Sequence, residues 1–392
     1  MSANLLSELQ SLANQEDYSQ LSRKLLDLSV ENNFDTITEE YIYAFRKAYL
    51  YANNDSKQEM QNLAFQVLQH LKQTDISVSE ALENASLVCD AQNISKRFRS
   101  GSRPFFLQPL DVQLKFGEIT GVVGENGNGK TTLLRILAGE LSHDTGSIAY
   151  PALHSDDTDW YKVKNQFVFI PQRIPRWYGS LLDNLRFFAS IHGIKNIENN
   201  KQIEYILFRL GLDKFRDLKW SELSSGYRLR FELAKAIMWR PKLILLDEPL
   251  ANLDINAQQL FLQDLKFFVK SSKFPLSIIL SSQALHEVES ISDNIIFIKQ
   301  GKTIYNGNQQ YFAQERVTNT FELSGHFTRE QLHQIFDEFH IKIEDSGTTS
   351  VITVDKQISS DIFLLTLLTN KITVSYFRDI STSTRKLFHK DI

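Results

Sequence analysis

The chain of 392 residues is too long for one compact core, and about two or three domains are expected. Hydrophobic residues at 42% and charged residues at 23% describe an ordinary soluble globular protein, and a net charge of −4 gives no sign of a nucleic-acid partner. The single cysteine, Cys89, excludes an internal disulfide, fits a reducing compartment and reads as a small buried hydrophobe. No stretch reaches the roughly 20 apolar residues that a membrane-spanning helix needs. The first residues, Met1-Ser2-Ala3-Asn4, lack the features of a signal peptide, so the expected location is the cytosol.

Residues 1–73 read as four short amphipathic helices, a small bundle or a pair of helical hairpins. Their apolar positions are Leu5, Leu6, Leu9 and Leu12, then Tyr18, Leu21, Leu25 and Leu28. After the capping residue Thr36 come Ile37, Tyr41, Phe45, Ala48 and Tyr49, and then Met60, Leu63, Val67, Leu68 and Leu71. The aromatics Tyr41, Tyr43, Phe45, Tyr49 and Tyr51 admit either core packing or a docking surface. Residues 74–84 are polar and weakly patterned, as in a linker. Strand patterns follow at 86–89, 106–114 and 119–123. The intervening loop, 96–102, carries Phe98 among cations, either an ordinary loop aromatic or a face for a purine.

The strand ending at Val123 leads into Gly124-Glu125-Asn126-Gly127-Asn128-Gly129-Lys130-Thr131-Thr132 and then an apolar helix. This is the spacing of a phosphate-binding loop. Glycines let backbone N–H groups curl around an anion, and the helix N-terminus adds its positive end. Lys130 would reach the β- and γ-phosphates of a nucleotide, and the Thr131 hydroxyl would ligate Mg²⁺.

Residues 160–172 read as strand-like, ending at Pro171-Gln172, and helices are expected at 181–193, 201–212 and 229–239. The apolar run Leu243-Ile244-Leu245-Leu246 suits a strand of a parallel sheet covered on both faces, and Asp247-Glu248-Pro249 closes it. In an α/β fold ligands lie beyond the carboxyl ends of the strands. Asp247 would therefore serve the Mg²⁺ shell and Glu248 would orient the attacking water.

With these residues in view, the chain from about Ser86 to Gly307 resembles the ATP-binding cassette of ABC proteins. Gly124 to Thr132 is similar to the Walker A loop, Gln172 to the Q-loop glutamine, Leu223-Ser224-Ser225-Gly226-Tyr227 to the signature, and Leu243 to Glu248 to Walker B with its catalytic glutamate. Ala251-Asn252-Leu253-Asp254 is similar to the D-loop. The implied fold is an α/β P-loop NTPase, an ABC-type cassette with a mixed sheet and a helical subdomain. The expected domains are a helical one at 1–73, the linker, the cassette at 85–312 with its helical subdomain at about 178–240, and a small α+β domain at 316–392.

The resemblance implies that Phe98 stacks on adenine and that Gln172 joins the metal and catalytic groups. Gly124, Asn126, Gly127, Asn128, Gly129, Lys130, Thr131 and Thr132 would cradle ATP. Ser224, Ser225, Gly226 and Asp254 would face the ATP of the other cassette in a head-to-tail dimer, a homodimer in the simplest case. Two positions depart from the family. Ser225 adds a side chain where glycine is usual, and Gln283 stands in place of the switch histidine, donating a hydrogen bond but unable to take up a proton. Both point to slow hydrolysis. His286 is no obvious substitute, three residues on within a predicted helix.

The segment Ser180 to Phe188, followed by His192-Gly193, is similar to the ATPases of ABC exporters. A separate membrane permease is the implied partner, with the subunit peripheral on the inner face of the cell membrane. Trp177, Tyr178 and Phe187 either line the groove that receives it or fill the helical subdomain. After Gly307 the order β-α-β-β-α-β suggests a split βαβ domain, followed by a tail with Arg385 and Lys386. Two readings compete with an exporter: a soluble ABC ATPase remodelling a ribosomal, nucleic-acid or protein complex, and a slow ATP-dependent regulatory module.

Overall fold

Three strands, at 167–170, 243–246 and 277–282, lie side by side in parallel and bring the residues at their carboxyl ends to one edge. A computed structural model describes residues 3–31, 34, 36–52, 57–73, 86–98, 104–153, 160–194, 196–270, 275–283, 285–309, 318–336, 341–346 and 349–380. The expected linker at 74–84, the tail residues Arg385 and Lys386, and the side chains of Thr36 and His286 lie outside the described residues. The chain forms two compact units, one of residues 1–119 with 129–281 and one of residues 120–128 with 282–392.

The first unit begins with α1 (Ala3–Asn14), α2 (Tyr18–Glu31), α3 (Thr36–Tyr51) and α4 (Lys57–Gln73). Leu9, Leu21, Leu25, Ile42, Phe45, Val67 and Leu71 bury the shared apolar face. The long antiparallel strands β1 (Leu87–Phe98) and β2 (Phe105–Lys115) follow. Cys89 on β1 is fully buried, and burial, with Asp90 nearby, pushes its thiol well above the ordinary cysteine value. Next come β3 (Ile119–Val123), most of which belongs to the second unit, α5 (Lys130–Leu137) and β4 (Thr145–Ala149), the last pairing with the other side of β1.

Residues 160–172 differ from the strand expectation. Trp160–Lys164 forms the short helix α6, and only β5 (Phe167–Ile170) is extended. The Trp160 indole lies against Gly139 so closely that a Cβ there would fall 2.1 Å from Cζ2, a contact the local alternation could not reveal. The helical region holds α7 (Leu181–Ile191), α8 (Asn196–Arg209) and α9 (Ser225–Ile237), and then come β6 (Leu243–Leu246), α10 (Ile255–Lys270) and β7 (Ser277–Ser282). All four residues of β6 are buried, as a strand covered on both faces requires. The register puts Ile170, Leu246 and Leu280 level, so the residues that follow emerge at one edge.

In the second unit β3 runs parallel to β8 (Asn294–Lys299), after the short helix α11 (Leu285–Glu289), and β9 (Lys302–Asn308) returns antiparallel to β8. A four-stranded sheet then forms from β10 (Thr318–His326), β11 (Lys342–Ser346), β12 (Thr349–Asp355) and β13 (Thr373–Asp379), in the order β11-β12-β10-β13. With α12 (Arg329–Ile335) and α13 (Ser360–Thr369) this is the β-α-β-β-α-β order, around a core that includes Phe321, Phe336, Ile352, Phe363 and Leu367.

Candidate nucleotide site

The glycine-rich loop is shaped by close approaches that no side chain could make. A Cβ on Gly124 would sit 2.3 Å from the Ile298 carbonyl oxygen, and one on Gly129, where φ is 105°, would sit 2.8 Å from the Phe105 ring. Asn128 fastens the loop, its Oδ1 accepting the Gln300 N–H at 2.9 Å. Gly127 takes a positive φ of 79°, and Glu125, Asn126 and Gly127 are exposed. Lys130 and Thr131 open α5, followed by Thr132, so their N–H groups sit at a helix N-terminus.

Five of the expected residues gather around the edge where β5, β6 and β7 end. Asp247 Oδ1 accepts from the Thr131 hydroxyl at 3.0 Å and from the Ser281 hydroxyl at 2.8 Å. Glu248 Oε1 lies 3.0 Å from Lys130 Nζ, and Oε2 accepts from the Gln172 amide nitrogen at 2.9 Å. Lys130, Asp247 and Glu248 are buried, so the Lys130–Glu248 ion pair and the Asp247 carboxylate share one desolvated edge. Glu248 adopts a φ of 44°, a left-handed conformation costly for a side-chain-bearing residue, while its N–H donates to Ser281 Oγ at 2.8 Å.

This donor set fits Mg²⁺. The Thr131 hydroxyl, the Asp247 carboxylate and the Gln172 carboxamide offer hard oxygens, and Mg²⁺ is ordinarily held by one or two carboxylates plus substrate phosphates. Among the described residues no cluster of three His, Cys, Asp or Glu side chains competes as a metal site.

The signature residues form a second group. Ser224 caps α9, its Oγ accepting from the Tyr227 N–H at 3.4 Å. The Ser225 hydroxyl donates to the Asn252 carbonyl at 2.9 Å, which turns the extra side chain towards the 251–254 segment. Gly226 lies against Leu253 and Ala257, and Asp254 Oδ1 accepts from the Ala257 N–H at 2.8 Å at the start of α10. Gln283 is exposed just past β7. Phe98 is the last residue of β1 rather than part of a loop, 36% exposed, with its ring 6.4 Å from that of Phe105. The pairing of β1 with β2 holds it there. Trp177 packs against Trp220 and Phe231, whereas Tyr178 and Phe187 are exposed.

Two contributors were not singled out from the sequence. Ser281 bridges both carboxylate positions, and its signal was a polar residue at the carboxyl end of an apolar strand. Phe105 backs Gly129 and left no local signal.

A protein-family model described as ABC transporter matches residues 107–251. The chain is 28% identical over 223 residues to the ABC transporter ATP-binding protein NatA of Bacillus subtilis (strain 168), an alignment spanning 54% of this chain and 86% of that protein. It is 31% identical over 234 residues to the probable sulfate/thiosulfate import ATP-binding protein CysA of Chlorella vulgaris, spanning 59% of this chain and 94% of that protein. Among solved structures, cbiO1 from Clostridium perfringens, part of the ABC transporter complex cbiONQ, has the same fold over 58% of this chain and 92% of that chain, with a TM-score of 0.52 at 23% identity.

Replacing Ser281 with alanine leaves the buried Glu248 N–H without its acceptor. The expected loss of stability is about 1–3 kcal/mol, read as a lower midpoint in urea unfolding.

Proposed function

The chain belongs to the family of ABC transporter ATP-binding proteins, and from that premise we propose that it is the ATP-hydrolysing subunit of a membrane exporter. The observation that carries the proposal is the bonded set of Lys130, Thr131, Gln172, Asp247 and Glu248 at the strand ends, in which Lys130, Asp247 and Glu248 are buried. In this reading ATP binds with its adenine on Phe98 and its phosphates against Gly124, Asn126, Gly127, Asn128, Gly129, Lys130, Thr131 and Thr132. Thr131, Asp247 and Gln172 would hold Mg²⁺, which when bound would supply charge neutralisation at the phosphates. Lys130 neutralises the same phosphates from the helix start. Glu248 orients and polarises the attacking water, and Ser281 holds its backbone in place.

Ser224, Ser225 and Gly226, with Asp254, serve the ATP of a second cassette, so two chains close head to tail over two nucleotides and drive a separate permease at the inner face of the cell membrane. Exporter direction rests on the resemblance of 180–193, and the exposed Tyr178 and Phe187 on that side suit a permease contact. No described helix is long and apolar enough to cross a membrane. Gln283 donates a hydrogen bond to the γ-phosphate without taking a proton, which slows turnover.

Glu248→Gln should lower ATP turnover by roughly 100-fold or more while ATP stays bound and the dimer persists in gel filtration; sustained turnover would refute the role given to Glu248. Gln283→His should raise kcat, and an unchanged rate removes the slow-turnover reading. Purified from membranes in mild detergent, the chain should bring with it a multi-span partner; recovery with ribosomes, or as a lone ATP-loaded dimer, would overturn the exporter assignment.

A further inference from the structure

The helices at the start of the chain are fastened to the cassette by charge. Asp264 on α10 is fully buried and both its oxygens are engaged. Oδ1 lies 2.7 Å from Arg209 NH1, at the end of α8, and 3.6 Å from Arg23 NH1, on α2. Oδ2 lies 3.0 Å from Arg230 NH2, on α9. Arg209 is gripped on its far side by Asp27 of α2, with Nε at 2.6 Å from Oδ1, and its guanidinium lies 4.2 Å from the Phe267 ring centre. Arg46 on α3, also buried, donates through Nε to the Phe208 carbonyl at 3.0 Å and through NH1 to Ser22 Oγ at 2.9 Å. Tyr51 completes the contact by donating to Asp213 Oδ2 at 2.8 Å.

Three guanidiniums therefore meet at Asp264, and one of them, Arg209, also pairs with Asp27. Burial alone would lower the Arg209 guanidinium, yet Asp27 and Asp264 more than offset this and hold it above the usual arginine range. Arg46 and Arg23, with less compensation, are held below that range by burial. Removing either carboxylate would leave buried positive charge uncompensated, the costly way to break such a network. A carboxylate is rigid and planar, so an arginine that fixes one oxygen of Asp264 also aims the other. Arg230 stands one helical turn beyond Gly226, on the helix that Ser224 caps.

We propose that Asp27 is a positioning residue for the signature: through Arg209, Asp264 and Arg230 it sets α9, and with it the placement of Ser224, Ser225 and Gly226 towards the ATP of the partner cassette. This rests on the signature role assigned above. The N-terminal helices thereby act on hydrolysis through the placement of the signature.

The test is Asp27→Asn in the full chain, with Asp27→Glu as the conservative rescue and Glu248→Gln as the control for ATP turnover. Ser225 and its neighbours serve the opposite site, so kcat should fall by roughly 10-fold while binding of a fluorescent ATP analogue to the chain's own loop changes less than about 2-fold. Asp27→Glu should recover most of the rate. Unchanged kcat in Asp27→Asn, with turnover abolished by Glu248→Gln, overturns the proposal and leaves the ATPase reading standing. Loss of binding and rate together, in step with lowered thermal stability, also overturns it, because a merely structural role predicts that pattern. If turnover proves insensitive to Glu248→Gln, so that the ATPase reading itself fails, amide hydrogen exchange decides. Faster exchange at residues 224–230 with unchanged exchange at 130–137 supports the link, and equal exchange at 224–230 refutes it.

Discussion

The parallel register of β5, β6 and β7 is the constraint on which the candidate site depends. Because Ile170, Leu246 and Leu280 lie level, the next residues of three separate segments arrive together: Gln172 after β5, Asp247 and Glu248 after β6, Ser281 on β7. A slip of one residue in β6 would turn Asp247 to the opposite face and dissolve the Thr131–Asp247–Ser281 arrangement. The uninterrupted burial of β6 is what makes such a slip expensive, since it would drive a carboxylate into the apolar layers that cover the strand.

The left-handed backbone at Glu248 shows how that edge accommodates function. Glycine would take a φ of 44° at no steric cost, but it would supply no carboxylate. The conformation costs about 1–3 kcal/mol, and the hydrogen bond from its N–H to Ser281 helps to offset it. Lys130 and Gln172 then hold the side chain from two directions, so its position is over-determined by groups from α5 and from the segment after β5.

The motifs were legible because each is a short local pattern with its own physical cause. Glycines at Gly124 and Gly129 announce close backbone approach, and four apolar residues followed by two acids announce a strand end. The four leading helices and the closing α+β order were legible from periodicity. Phe98 was visible, but its place at the end of a long strand was not, because the alternation of β1 is broken by register shifts. Ser281 and Phe105 act through neighbours distant in sequence; a polar residue at the end of an apolar strand was the one local sign of Ser281, and no local pattern marks Phe105. The arginine network was least legible of all. Arg23, Arg46, Arg209 and Arg230 look like ordinary solvated charges on four helices, and only the fold brings Arg23, Arg209 and Arg230 to Asp264 and buries Arg46 against the Phe208 carbonyl. The aromatics of α3 divide accordingly: Phe45 fills the helical core, whereas Tyr43 meets the Phe208 ring and Tyr51 reaches Asp213.

Cys89 carries a practical consequence. The chain's one thiol is sealed inside β1 and kept protonated, so it offers no thiolate to oxidants, alkylating reagents or glutathione while the fold is intact. Thiol modification then becomes a report on unfolding of the native chain. A cysteine placed by design at the surface, beside Tyr178 or on α13, would be the single reactive sulfur and would carry a probe to one address only.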